Sequence, residues 1–367
     1  MLICNVVGAR PNFMKMAPLI EALAARNMTQ LLVHTGQHYD QAMSQVFFDE
    51  LGMPRPDIHL EVGSDNQARQ TAKIMVGFDE VCEQRRPDLV VVAGDVNSTV
   101  ASALVAAKRG ILVAHVEAGL RSGDRGMPEE INRIVTDHLA DLLFTTEASG
   151  NENLKKEGIA AEKIHFVGNC MVDTLLKHKD TAVSRQPWIG HGLEPGKYVL
   201  LTLHRPSNVD DTGKLRQIMQ TVAQIAEVMP VLFPVHPRTR NCIMQLQLGA
   251  IAGVQLCDPL PYLAFVGLMA KARVVLTDSG GIQEETTALN VSCLTLRRNT
   301  ERPVTVTNGT NRLVGDDAAT ILTAFQEVLR HSPGEIHQPP LWDGAAAVRT
   351  AAVIAAWCAG LRAPGNP

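Results

Sequence analysis

A chain of 367 residues exceeds one ordinary core and points to two domains, each long enough to bury a real interior. Its hydrophobic fraction of 46% and charged fraction of 20%, with no low-complexity tract or charge run, exclude a disordered polymer. A formal net charge of -4 leaves no positive field for a nucleic-acid backbone, so no nucleic-acid partner is expected.

The opening MLICNVVGARPN carries an apolar stretch without a basic leader or cleavage site, and no later run approaches membrane-spanning length. A cytoplasmic protein with no membrane partner is expected. Short β-rich runs then alternate with helical patterns: LICNVV, a helix over 14–26, QLLVHT, a helix near 41–51, a helix over 67–84, LVVVAG, a helix over 98–108, ILVAHVE, a helix from Glu129, and LLFTT. This alternation predicts βαβ units on a parallel sheet, and the first domain is assigned to residues 1–180. After a helix over 171–179, the stretch RQPWIGHGLEPGK is rich in Pro and Gly and marks the boundary. A second alternation follows: YVLLTLH, a helix over 213–228, VLFPVH, a helix over 262–271, VVLTDSG, a helix over 281–289, and SCLTL. It assigns the second domain to residues 195–340. Residues 344–362 close with an Ala-rich helix expected to pack back on the first domain. The fold class is therefore α/β, with two doubly wound Rossmann-like domains and a ligand expected in the interdomain cleft at the carboxyl ends of the strands. Seven cysteines, Cys4, Cys82, Cys170, Cys242, Cys257, Cys293 and Cys358, form no C-x-x-C pair and are expected as buried free thiols.

Residues that could carry chemistry fall just after strands or at helix starts. Gly8 and Arg10 follow the first strand, where a tight turn and a fixed charge near a helix N-terminus suit a phosphate; pairing of Arg10 with a surface carboxylate is the plainer alternative. Gly94-Asp95 ends VVVA, Glu117 ends ILVAHVE, and Glu129 and Glu130 open a helix. Carboxylates at neighbouring strand ends can meet in one cleft, where burial and repulsion separate their affinities for protons, as acid and base work requires. Alternatively, Asp95 caps the helix from Ser98, and Glu129 and Glu130 merely favour a helix start. A carboxylate ending the apolar strand VAHVEAG is harder to explain that way. In the second domain His204-Arg205 and His236 end strands, and Ser279-Gly280-Gly281 joins a strand to a helix. Bare glycine backbone lets phosphate oxygens approach the N–H groups of the helix start, although an ordinary βα turn has the same look. Glu284 and Glu285 lie one turn further in, where one of them can accept from ribose hydroxyls.

The dinucleotide fingerprint G-x-G-x-x-G, the Walker loop and H-E-x-x-H are missing, which removes support for nicotinamide chemistry, NTP hydrolysis and zinc proteolysis. No cofactor and no metal are expected.

The segments GARPNFMKMAP, TGQHYD, AGDVNSTVASAL, HVEAGLRSGDRGMPEEINR, LHRPSN, FPVHPR, LTDSGGIQEE, TERPVTV and RLVG occur in one order along nearly the whole chain. Together they resemble the non-hydrolysing UDP-N-acetylglucosamine 2-epimerase family. The resemblance implies a fold like that of the B-type glycosyltransferases and a UDP-sugar substrate; a homodimer is expected. It also implies anti-elimination of UDP to a 2-acetamidoglucal and re-addition of UDP, with Asp95, Glu117 and Glu129 sharing the acid and base roles. His204 joins the catalytic set and, with Arg10, steadies the diphosphate. Ser279 and Gly280 hold phosphate, Glu285 holds the ribose, and Lys15, His236 and Gly281 complete the substrate-binding set. The chain departs from the common family pattern at Asn12, at Pro206-Ser207 and at Val304. Three other functions compete: a hydrolysing epimerase that releases N-acetylmannosamine, a glycosyltransferase of the same architecture, and a catalytically silent nucleotide-binding module.

Overall fold

The apolar runs pair as parallel strands in two sheets, as shown by a computed structural model that describes residues 1–36, 48–331 and 338–361. The side chains of Arg10 and Leu361 lie outside that set, as do residues 37–40 of the TGQHYD motif and most of the helix expected over 41–51. The chain divides into two compact units, Met1–Thr174 with Pro340–Pro367, and Leu175–Pro339.

In the first unit the order is β1 (Leu2–Val7), α1 (Arg10–Ala24), β2 (Thr29–His34), β3 (Ile58–His59), α2 (Gln67–Arg85), β4 (Leu89–Ala93), α3 (Asn97–Lys108), β5 (Leu112–Ala118), α4 (Pro128–Leu139), β6 (Leu142–Thr145), α5 (Ala148–Lys156) and β7 (Ile164–Phe166). The helix α6 (Cys170–Ser184) spans the division at Thr174. The strands form one seven-stranded parallel sheet in the order β3-β2-β1-β4-β5-β6-β7. Every residue of β4 is buried, as expected of a strand with helices on both faces. The core joins Cys4, Val6, Val33, Phe78, Val90, Val92 and Leu143. Helix α1 begins at Arg10, earlier than the apolar pattern suggests, because Pro11 fits the first turn and Asn12 Oδ1 accepts the N–H groups of Gly8 and Ala9 at 3.1 and 3.2 Å.

The second unit runs β8 (Val199–Thr202), α7 (Pro206–Val209), α8 (Thr212–Ala226), β9 (Val231–Pro234), α9 (Pro237–Gln245), β10 (Val254–Cys257), α10 (Tyr262–Lys271), β11 (Val274–Thr277), α11 (Gly280–Leu289), β12 (Ser292–Thr295), α12 (Val304–Thr307), β13 (Asn311–Leu313) and α13 (Ala318–Arg330). Its six-stranded parallel sheet has the order β10-β9-β8-β11-β12-β13. Leu201, Phe233, Leu276, Leu294, Ile321 and Phe325 meet in its core. Helices α8 and α13 start where Asp211 and Asp317 accept first-turn N–H groups, an N-cap each.

The terminal helix α14 (Ala346–Leu361) belongs to the first unit. Asp173 accepts the N–H groups of Ala346 and Ala347 at 3.2 and 2.7 Å, and the buried Trp342 indole donates to the carbonyl of Thr146 at 2.9 Å. Both sheets reverse their strand order at one point, β1/β4 in the first and β8/β11 in the second, and a doubly wound sheet opens a crevice at the carboxyl ends of such strands. Among the described residues no helix is long and apolar enough to cross a membrane, and the seven cysteines are free, Cys242 and Cys257 being only partly buried.

Candidate functional site

In the first unit the residues of interest lie where β1, β4 and β5 end. Gly94 follows β4 with φ +65°, a left-handed turn, and a Cβ there would stand 2.8 Å from Lys15 Nζ and 3.7 Å from Glu117 Oε1. Glu117 itself has φ +71°, a strained backbone for a residue with a side chain, and the β5–β6 register slips between Val116 and Ala118. The bulge re-aims the carboxylate out of the strand's ordinary alternation. Its Oε1 accepts from Lys15 Nζ at 2.7 Å, and the two side chains are 2% and 5% exposed. Such a buried pair survives because each charge compensates the other, and removing one partner alone costs about 3 to 5 kcal/mol.

Val96 stands at the N-cap of α3 and makes no side-chain cap bond. The Asp95 carboxylate meets Arg133 Nη2 at 2.5 Å, and the Asp95 carbonyl accepts from Asn132 at 2.8 Å. Arg133 also binds Glu130 at 2.7 Å, so one buried guanidinium joins two carboxylates of this corner. Glu130 is buried and accepts the N–H groups of Ser122 and Gly123, a role that orders the loop before α4. Burial alone would raise its carboxyl, but those two N–H groups and Arg133 bring it below the ordinary value. Its neighbour Glu129 is half-buried in the first turn of α4 and makes no hydrogen bond or ion pair among the described residues. Of the two, Glu129 keeps a carboxylate available for chemistry.

The second unit builds its site at the ends of β8 and β11. Asp278, fully buried after β11, accepts the N–H groups of His204 at 3.1 Å and Arg205 at 3.0 Å, and Asn208 Nδ2 at 3.2 Å. His204 Nδ1 stands 3.1 Å from the same carboxylate, with the ring half exposed. Burial would raise the Asp278 carboxyl, but His204 and the backbone N–H groups hold it below the usual carboxylate range. Asp278 thus orients the histidine ring and leaves its other edge outward.

Ser279 is the N-cap of α11 without a side-chain cap bond, Gly280 and Gly281 form its first turn, and the Ser279 N–H donates to Thr277 Oγ1 at 3.0 Å. A Cβ on Gly280 would run into Arg302 Nη1 and Glu301 Oε1, so a side chain there has to displace that buried ion pair. Arg302 pairs with Glu284 at 2.9 Å and Glu301 at 2.8 Å, and Glu301 also takes Arg297 at 2.9 Å. Glu285 is buried beside Tyr262, whose hydroxyl donates to Oε1 at 3.2 Å. Desolvation pushes the Glu285 carboxyl up to about 7 against that hydrogen bond. His236 is exposed and caps α9, accepting the Arg238 N–H at 3.3 Å.

Within the first unit the structure therefore brings Lys15, Asp95 and Glu117 to one corner, with Glu129 in the first turn of α4 beside Glu130. Within the second it brings His204 against Asp278, the residue before Ser279. The Arg10 side chain lies outside the described residues. Asp278, not among the residues singled out above, ends the apolar run VVLTD as Glu117 ends VAHVE and carries the same signal. Arg133 stands three residues after Glu130, a helical ion-pair spacing that was there to read. Tyr262 and Arg302 reach the site only through tertiary contacts. Among the described residues no group of His, Cys, Asp and Glu is placed to hold a metal.

The family model described as UDP-N-acetylglucosamine 2-epimerase matches residues 21–355. A UDP-N-acetylglucosamine 2-epimerase of Methanocaldococcus jannaschii is 41% identical over 88% of this chain and 91% of its own length. A UDP-2,3-diacetamido-2,3-dideoxy-D-glucuronate 2-epimerase of Pseudomonas aeruginosa is also 41% identical, over 86% of this chain and 88% of its own. The crystal structure of the Methanocaldococcus jannaschii UDP-GlcNAc 2-epimerase in complex with UDP-GlcNAc and UDP is similar with a TM-score of 0.92 and 39% identity, covering 97% of this chain and all of that one.

Proposed function

The chain belongs to the UDP-N-acetylglucosamine 2-epimerase family, and from that premise we propose that it interconverts UDP-N-acetylglucosamine and UDP-N-acetylmannosamine without net hydrolysis. The observation that carries this reading is the Glu117 carboxylate, buried on a strained bulge, paired with Lys15 and set beside the Gly94-Asp95 turn. A group held that way is built for proton transfer rather than for solubility.

In the proposed reaction one carboxylate removes the proton from C2, the C1–O bond to the diphosphate breaks, and a C1–C2 double bond forms. UDP leaves with the bonding electrons, and the first unit holds the abstracted proton. Re-addition of UDP at C1 and delivery of a proton to the opposite face of C2 completes the epimerisation. Asp95, Glu117 and Glu129 share acid and base roles; Lys15 and Arg133 balance the charge of Glu117 and Asp95. Ser279 and the glycine turn take phosphate oxygens at the start of α11, His204 and Arg10 steady the diphosphate, and Glu285 accepts from the ribose. His236 and Gly281 complete the binding set. No redox cofactor enters, because the bond changes are a proton transfer and an elimination.

Incubation with UDP-N-acetylglucosamine, followed by the anomeric proton signals, should show UDP-N-acetylmannosamine appearing while total UDP-sugar stays constant. Release of free N-acetylmannosamine with matching UDP would replace this reading with the hydrolysing one. Asp95→Asn, Glu117→Gln and Glu129→Gln should each lower kcat about a hundredfold with UDP binding retained. Because a relative named for a diacetamido-glucuronate sugar is equally similar, the same assay with UDP-2,3-diacetamido-2,3-dideoxy-D-glucuronate decides between the two sugars.

A further inference from the structure

Behind the carboxylates of the first unit lies a buried ion network that the proposed reaction does not use. His115, in the middle of β5, and Asp137, in α4, are both fully buried. His115 Nδ1 meets Asp137 Oδ1 at 2.6 Å, and Nε2 meets the Gly94 carbonyl oxygen at 2.8 Å. The other Asp137 oxygen accepts the Gly119 N–H at 3.1 Å and Arg121 Nη1 at 2.8 Å. Arg121 turns its remaining edge to Glu157, with bonds of 2.8 and 2.7 Å.

This geometry fixes the proton count of the ring. A carbonyl oxygen has no proton to give, so Nε2 donates to Gly94. Asp137 already receives two donors on its other oxygen. The Gly119 N–H and the Arg121 guanidinium on that oxygen favour the carboxylate whatever the state of the ring. Nδ1 is then a donor as well, and the ring carries both protons.

The two backbone points tied by this ring are not arbitrary. Gly94, whose carbonyl is held, immediately precedes Asp95. Gly119, whose N–H is held through Asp137, follows Glu117 by two residues, and both Gly94 and Glu117 sit in left-handed backbone. Such conformations persist only where the surroundings over-determine them. Resting on the acid–base reading above, we propose that His115 is a positioning residue: as a doubly protonated ring clamped between Asp137 and the Gly94 carbonyl, it fixes the turns that aim Asp95 and Glu117.

The test pairs spectroscopy with kinetics. Nitrogen–proton correlation NMR of ring-labelled histidine in the wild-type protein at neutral pH should show two protonated nitrogens on His115; a single protonated nitrogen would overturn the clamp. His115→Gln keeps one donor and His115→Phe keeps the volume with none. They should lower kcat about tenfold and about a hundredfold, with KM and the Kd for UDP within about twofold of wild type. Folded variants with wild-type kcat, or a loss confined to KM, would overturn the positioning role. If neither variant folds, Arg121→Gln, at the rim of the network, takes their place. It should lower kcat a few-fold, and an undiminished kcat would count against the proposal. A wild-type protein that turns over no UDP-sugar would instead sink the proposed reaction, an outcome distinct from active wild type with undiminished variants.

Discussion

Glu285 shows how one buried side chain couples protons to stability and, in its proposed ribose role, to binding. Its carboxyl stands at about 7 in the folded protein against an ordinary 4.5, because burial disfavours the charge more than the Tyr262 hydroxyl favours it. The folded chain therefore holds this proton longer than the unfolded one. The associated stabilisation is fully present below 4.5 and is lost as pH rises through about 7. Glu285→Gln stays neutral, so the variant should gain on wild type by up to about 3 kcal/mol between pH 4 and 8 in urea denaturation. A difference that stays flat over that range would contradict the assignment. Ribose hydroxyls donate most readily to the ionised carboxylate, so UDP binding by wild type should tighten as pH rises through 7 while binding by the variant should not.

At this scale the sequence was legible where a charge ends an apolar strand. Glu117 could be singled out because a carboxylate ending an apolar strand needs a reason, and Asp278 offered the same reason without being taken up, whereas Asp95, one residue past Gly94, read equally well as a helix cap. Spacing and burial pattern alone did not separate Glu129 from Glu130; the family resemblance named Glu129. Two adjacent glutamates at a helix start look alike until one is seen to hold the Ser122 and Gly123 N–H groups. Nor could the sequence show that Lys15 reaches across 102 residues to Glu117.

Among elements, the turns after strands carry several of the residues proposed for the chemistry. Gly94→Ala tests this at the β4–α3 turn. The left-handed backbone costs an L residue about 1 to 2 kcal/mol, and the new Cβ would sit 2.8 Å from Lys15 Nζ. Lys15 must then shift from Glu117, so the variant should lose about 1 to 3 kcal/mol of stability and at least about tenfold in kcat. A variant neutral in both thermal unfolding and turnover would show that the turn does not hold the pair. Helices with a wide apolar face, such as α2 and α10, could be bounded closely from the sequence alone. Helix α5 could not, because it buries only Gly150 and Leu154 and leaves almost no apolar period to read. The short strands β10 and β13 sit at sheet edges with partly exposed residues, where the strand signal is weakest.

For the whole molecule, the alternation of strand and helix patterns was enough to give two doubly wound parallel sheets, because right-handed βαβ crossovers leave few other topologies. The Pro- and Gly-rich stretch over 185–197 suggested a boundary, whereas the compact units divide earlier, at Thr174 inside α6. A helix running through a division carries no turn signal, so composition could not reveal it. Elimination and re-addition, with loss of the C2 proton to a carboxylate of the first unit, is the central step of the proposed reaction. The most direct measurement is proton NMR of UDP-N-acetylmannosamine formed from UDP-N-acetylglucosamine in D₂O. Deuterium at C2 of the product from its first appearance is the predicted result, and retention of the original C2 hydrogen would contradict the account.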